Sequence, residues 1–355
     1  MGILRHYISV ILPACGMMML ILDSQTAMHG AAEGIVLCIN SVVPSLFPFF
    51  VLSILLTNRV LNSHGQAKWE SNTKQKSQQP AKTLFIAGLL GGYPTGAQAV
   101  MEAFRNGSLP EKNAHRLLGF CSNAGPAFIF GITGRLFSAC YIPWLLWLIH
   151  ILSALIVSVM IPVQTESLTG HKHGAQITLQ QAFNKSLYTI SSVCGWIILF
   201  RVLIAFIDRW FLWLFPIAAR PLIFGTLELT NGIILLQEVD SEALRFIYCS
   251  ILISFGGCCV GMQTASVTKE LGTGWYFPGK IMQSTISGIL SLLTAKVIYD
   301  FPLDEVMMFI IVVIAALSLL LTIVIKKFCV AFSRKSVYNN QKSSRELLLC
   351  SFGKR

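Results

Sequence analysis

Four short runs of helix-breaking and polar residues interrupt stretches that are otherwise apolar. The first is Gly91-Gly92-Tyr93-Pro94-Thr95-Gly96; the second is Asn123-Ala124-Gly125-Pro126, followed by Ala127 and Phe128. Two more stand in the second half: Thr226-Leu227-Glu228-Leu229-Thr230-Asn231-Gly232, and Ser254-Phe255-Gly256-Gly257 with Gln263 and Thr264 beyond it. Closely spaced glycine and proline cannot continue an α-helix, although Pro94 is well placed to start a new one. A break at membrane depth frees backbone N–H and C=O groups, which are tolerated only where protein or a water-filled cavity satisfies them. A helix restarting there aims its unpaired N–H groups and positive dipole end into the cavity. Discontinuous helices hold anionic substrate groups in this way in transporters. The plainer alternative is a kinked packing helix with close glycine contacts. Paired interruptions in both halves favour a midplane binding site. The predicted substrate-binding residues are Gly92, Tyr93, Thr95, Gly96, Gln98, Asn123 and Gly125, with Glu228, Thr230, Asn231, Gly256, Gly257 and Gln263.

Glu228 is a carboxylate inside an apolar stretch, and an intramembrane ionisable residue is a functional candidate by default. It carries a coupling proton, helps coordinate Na⁺, or pairs with Arg220 or Arg201. Glu102 leaves the first break closer to the interface and carries less functional weight. Arg201 either neutralises an anionic substrate or snorkels to the interface. His171 and His173 fall in a polar linker, where solvation outweighs metal binding. The 10 cysteines include no C-x-x-C and no Cys/His cluster with metal spacing, so they read as small buried hydrophobes. No nucleophile elbow, P-loop, HExxH site or dinucleotide fingerprint occurs. No enzyme activity, catalytic residue, metal or cofactor is therefore expected, and any transport is facilitated or ion-coupled.

These residues need a membrane around them. Of the 355 residues 54% are hydrophobic and 12% charged, and the mean hydropathy is +0.66. Soluble domains carry about 25% charged residues, so this chain has too few ionic groups to cover a water-exposed surface. Apolar segments fall at 6–22, 34–58, 83–104, 116–134, 141–162, 181–207, 211–236, 243–268, 277–299 and 305–327. The fold class is all-α: a polytopic integral membrane protein of about eight to ten hydrophobic segments, in two repeats with broken or re-entrant helices. The first helix reads as uncleaved. The expected units are an N-terminal membrane repeat at 1–165, a C-terminal one at 177–327 and a basic tail at 328–355.

The net charge of +11 would suit nucleic acid or an anionic membrane surface, and its placement favours the membrane. Eight Lys/Arg face one acid over 326–355, and five face one over 59–82. By the positive-inside pattern both lie in the cytoplasm. Alternating backwards from a cytoplasmic C-terminus puts the acidic 300–305 outside, 269–280 inside, and Glu238, Asp240 and Glu242 outside. Only the basic connection 105–116 objects. If 83–104 and 116–134 each enter from the cytoplasm and turn back, that objection disappears, so charge favours two re-entrant hairpins here.

The chain resembles the sporulation integral membrane protein YlbJ/SpoVV family, which is related to the nucleoside-recognition Gate domain. The matching pieces are Ser41-Val42-Val43-Pro44-Ser45-Leu46-Phe47-Pro48-Phe49-Phe50, Gly92-Tyr93-Pro94-Thr95-Gly96, Asn123-Ala124-Gly125-Pro126-Ala127-Phe128, Leu227-Glu228-Leu229-Thr230-Asn231-Gly232 and Ser254-Phe255-Gly256-Gly257. The resemblance implies a multi-pass protein of the mother-cell membrane around the forespore, exporting dipicolinic acid towards the spore. Tyr93 or Phe128 would then face the aromatic ring. After the last Gly-Gly the chain departs from the family pattern with Cys258-Cys259-Val260-Gly261-Met262. The expected partners are a small anionic solute, a coupling ion (proton or Na⁺), the lipid bilayer and further copies of the chain; nucleic acid is not expected. Two other functions compete: an ion-coupled carrier of nucleoside-like solutes using Glu228 and Asn231, and a non-transporting scaffold for spore envelope assembly.

Overall fold

The computed structural model describes residues 2–66, 79–105, 107–161, 163 and 176–302. The segment 305–327, the tail 328–355, the linker histidines His171 and His173 and residues 67–78 of the loop 59–82 lie outside the described residues. Among the described residues the chain is helical throughout, with no strand. The first helices are α1 (Gly2–Leu22), α2 (Ser24–Leu37) and α3 (Val43–Gln66), the last two joined through a π-helical turn, Cys38–Val42. Next come α4 (Gln79–Gly91), α5 (Thr95–Arg105), α6 (Glu111–Cys121) and the short α7 (Pro126–Phe128), which continues into the π turn Ile129–Thr133. Then follow α8 (Ile142–Met160), α9 (Leu179–Phe211), α10 (Arg220–Leu227), α11 (Leu229–Leu235), α12 (Glu242–Phe255), α13 (Gly257–Val267) and α14 (Tyr276–Tyr299).

Among the described residues, five stretches are long and apolar enough to cross a bilayer: Ser24–Leu56, Ile142–Met160, Leu179–Phe211, Glu242–Val267 and Tyr276–Tyr299. About 20 residues span the hydrocarbon core, and the 33 residues of α9 exceed that. Large apolar side chains on these helices point outward, among them Leu148, Val159, Leu199 and Val297. Their exposure is what lipid contact requires. The protein is an all-α polytopic membrane protein.

Every predicted break interrupts a helix. α4 stops at Gly91 and α5 starts at Thr95; α6 stops at Cys121 and α7 starts at Pro126. α10 and α11 are separated by Glu228 alone, and α12 and α13 by the left-handed Gly256. At the first and third breaks the chain folds back on itself. A Cβ on Gly96 would touch the Cα of Gly88, and one on Gly232 would collide with the Cα of Gly225. Residues seven or eight apart in a continuous helix stand about 10–12 Å apart, so these contacts define two helical hairpins, α4–α5 and α10–α11. Each crossing point is glycine on both arms.

The second break behaves differently from the re-entrant hairpin expected for 116–134. Ser122 and Gly125 are both extended, at φ/ψ −97/102 and −78/159. That extended run carries the chain onward, and α6 does not pair with the π turn beyond it as α4 pairs with α5. The fourth break likewise redirects a helix without reversing it. Each half therefore holds a hairpin followed by an interrupted helix.

Small residues let the backbones approach, as is common between helices in membranes. Gly279 of α14 faces the Gly119 carbonyl of α6, and Gly30 and Gly34 of α2 face Val202, Ala205 and Ile198 of α9. The main core runs from Leu84 and Val100 through Leu117, Ile129 and Leu146 to Phe246 and Leu252. It joins both hairpins to α6, α8, α12 and α14.

Candidate functional site

Three of the breaks converge on one cavity. Gly92 and Tyr93 come from the first hairpin tip, Gly125 and Phe128 from the second break, and Glu228, Leu229 and Thr230 from the second hairpin tip. Val42, Leu46, Val193, Ile197, Val260 and Gln263 close the walls. The lining is mostly apolar with a few polar groups, the usual character of a small-molecule site. Six of the predicted residues stand there: Gly92, Tyr93, Gly125, Glu228, Thr230 and Gln263.

Glycine is required where these elements meet. Gly92 has φ +72, and a Cβ on it would lie 3.0 Å from the Gly125 nitrogen, so the first tip rests on the second break backbone to backbone. Gly256 has φ +84, and a Cβ there would lie 2.9 Å from the Tyr93 hydroxyl. That space lets the Tyr93 O–H donate to the Ile253 carbonyl at 3.2 Å. Tyr93 thereby ties the first hairpin to the fourth break. The backbone of Gly257 faces the Gly225 carbonyl and the Leu229 nitrogen at the second hairpin tip.

Glu228 is 2% exposed and caps its own helix. Its carboxylate accepts from the Thr230 N–H at 3.0 Å, the Asn231 N–H at 2.8 Å and the Asn231 Nδ2 at 2.7 Å. This corrects two expectations. The N-terminus of α11 is already occupied by Glu228, so it is not open to a substrate carboxylate. Nor does Glu228 pair with arginine: Arg201 is ion-paired with Glu33, and the Arg220 Nε donates to the Phe215 carbonyl at 3.4 Å. Arg201 is therefore not a free cation awaiting substrate. Glu102 is paired with Lys185 at 2.8 Å, away from the cavity lining.

The remaining predicted residues support the cavity from behind. Thr95 donates its hydroxyl to the Gly92 carbonyl at 2.7 Å, fixing the first tip. Gly96 packs on the Cys121 carbonyl at the hairpin crossing. Gln98 turns away, its Nε2 donating to Thr189 Oγ1 of α9 at 3.1 Å. Asn231 holds Glu228, while Gln263, on the cavity wall, donates its Nε2 to the Cys259 sulfur at 3.4 Å.

Asn123 leads to a cluster absent from the predicted residues. Lys280 of α14 is fully buried, whereas alternation of charge predicts a cytoplasmic connection over 269–280. Its Nζ donates to Gln283 Oε1 at 2.7 Å and to Asn123 Oδ1 at 3.3 Å, and lies 5.2 Å from the Tyr93 ring centre. Gln283 Nε2 donates to the same Asn123 oxygen at 3.0 Å and to the His150 carbonyl at 3.4 Å. The Ala124 N–H, freed by the second break, donates to His150 Nε2 at 3.2 Å. His150 Nδ1 faces Ser254 Oγ at 3.1 Å. The sequence held one cue: Lys280 and Gln283 are three apart on one helix face. A lysine near the end of an apolar run reads as interfacial by hydropathy, and only the packing of α6, α8 and α12 around it reveals its burial.

No family model and no solved structure matches the chain. The chain is 24% identical over 322 residues to the sporulation integral membrane protein YlbJ of Bacillus subtilis (strain 168), covering 78% of this chain and 79% of that protein. Identity extending over more than three-quarters of both chains supports a relationship with the YlbJ family of sporulation integral membrane proteins.

Proposed function

We propose that the protein is a membrane carrier for a small organic anion during sporulation, with dipicolinate as the solute. Transport runs from the mother cell across the outer forespore membrane, and the C-terminal tail lies in the cytoplasm. The supporting observation is the cavity itself: two hairpin tips and an interrupted helix from separate parts of the chain enclose one apolar-walled space with polar points. Tyr93 and Phe128 supply ring surfaces of the kind a flat aromatic solute needs. The likeness to a sporulation membrane protein supports the setting. Proteoliposomes containing the full chain are expected to accumulate labelled dipicolinate saturably. A deletion in the spore-forming host is expected to give dipicolinate-poor spores and dipicolinate-retaining mother cells. Normal spore content would overturn the reading.

One observation favours a second reading. Glu228 lines the cavity, and a carboxylate at this position disfavours a second negative charge and suits an uncharged hydrogen-bonding solute such as a nucleoside. Saturable uridine flux driven by a Na⁺ or proton gradient, without dipicolinate flux, would establish that reading instead.

A further inference from the structure

We propose that Lys280 is the proton-carrying residue of this carrier, its amine taking up a proton when an anionic solute loads the adjacent cavity. The inference rests on the carrier reading and adds the coupling ion and its seat. An ammonium group taken out of water costs several kcal/mol unless it is paired. Among the described residues no carboxylate lies within ion-pair distance of Lys280; its partners are the neutral amide oxygens of Asn123 and Gln283. Asn123 turns its oxygen towards the amine because its Nδ2 donates to the Phe120 carbonyl at 2.7 Å. The cluster is thus built to accept N–H bonds while supplying no negative charge. A solute anion would supply it.

Tyr93 connects the two sites: it lines the cavity, and its ring centre stands 5.2 Å from the Lys280 Nζ. The titratable groups facing Lys280 are Cys121 of α6, His150 of α8 and Tyr93. α12 brings hydroxyls, with Ser250 bonded to Ser287 and Ser254 facing His150. His150 is held neutral by its contacts, because Nε2 accepts the Ala124 N–H and Nδ1 is left to donate to Ser254. Glu228 lines the cavity, and its carboxylate oxygens are committed to Thr230 and Asn231. Lys280 is therefore the group free to change charge.

On loading, the amine lone pair takes a proton from hydronium on the loading side, whose O–H bond breaks to leave water; on release the N–H bond breaks and the proton returns to water on the far side with the anion. No electron moves, and the result is proton–anion symport. Asn123 lies in the second break and Ser254 directly before the fourth, so any movement of the breaks changes the surroundings of the amine. This ties proton uptake to the conformational step.

Calorimetry of the full chain in nanodiscs, titrated with dipicolinate in two buffers of different ionisation heat, counts protons taken up on binding. The expected result is about one proton per dipicolinate, with affinity rising up to about tenfold per pH unit as pH falls. Uridine is expected to take up none. In K280R, whose guanidinium stays charged, dipicolinate binding is expected to persist with no proton uptake and a flat pH profile. K280M is expected to bind more weakly, also without uptake; should it fail to fold, K280R decides alone. Dipicolinate binding without proton uptake, or undiminished uptake in K280R, would overturn the proton site and leave the carrier standing. Binding of neither solute would remove the carrier reading and the proton site together.

Discussion

The backbone of Gly92 rests on that of Gly125, close enough that a Cβ on Gly92 would stand 3.0 Å from the Gly125 nitrogen. This contact joins the first hairpin tip to the interrupted helix that follows, at the floor of the cavity.

Alanine at Gly92 meets two penalties. The position has φ +72, a left-handed conformation costing an L side chain roughly 1–2 kcal/mol, and the added methyl overpacks the contact for about 1–3 kcal/mol more. Gly125 has an ordinary φ of −78, so G125A meets only the overpacking. Thermal unfolding in detergent is expected to rank wild type above G125A and G125A above G92A. Equal stability of the two variants would argue against the left-handed penalty, and a G125A variant as stable as wild type would argue against the tight contact.

Glu228 has a structural and a functional role that substitution can separate. E228A removes the cap of α11 and is expected to lower stability by about 1–2 kcal/mol. E228Q keeps one acceptor oxygen and is expected to lose less. Because the wild-type carboxylate opposes an anion in the cavity, E228Q is also expected to bind dipicolinate more tightly than wild type. Weaker binding in a folded E228Q would point to a carboxylate that contacts the solute directly.

His150 satisfies an amide that the second break leaves unpaired. H150L would bury the Ala124 N–H without an acceptor, a loss of about 1–3 kcal/mol. H150Q, which restores an acceptor, is expected to recover part of it. The check is denaturant or thermal unfolding of both variants side by side, and similar losses in both would show that packing outweighs the hydrogen bond.

The hairpin at the first break and the onward path at the second fix a topology. The connection 107–110 is expected on the same side as 59–82, and the exposed Cys140 on the other. Impermeant thiol labelling of S108C and of Cys140, each as the sole reactive cysteine, tests this. Both labelling from the same side would restore the double re-entrant arrangement inferred from charge.

The positions of the breaks were legible because glycine and proline act through local backbone geometry. Gly91 to Pro94 and Gly256-Gly257 need no neighbour to stop a helix. Whether a break reverses the chain was not legible: the sequences around Pro94 and Pro126 are alike in composition, and only the Gly88–Gly96 contact separates hairpin from kink. Charge pairing was hidden for a similar reason. Arg201 and Glu33 meet because α2 packs on α9, a tertiary fact no local pattern carries. Lys280 is the clearest case, since its surroundings come from α6, α8 and the first hairpin tip.

The hairpins also constrain how the protein is made. Their arms are 13, 11, 8 and 7 residues long, each well short of the roughly 20 that partition stably into a bilayer alone. A nascent arm of this length gains too little from lipid to stay. Each hairpin must therefore settle as a pair, zipped at its crossing glycines, into a vestibule that the longer helices have already framed. Biosynthesis would thus proceed from the outside inward, with the solute cavity the last part to take shape.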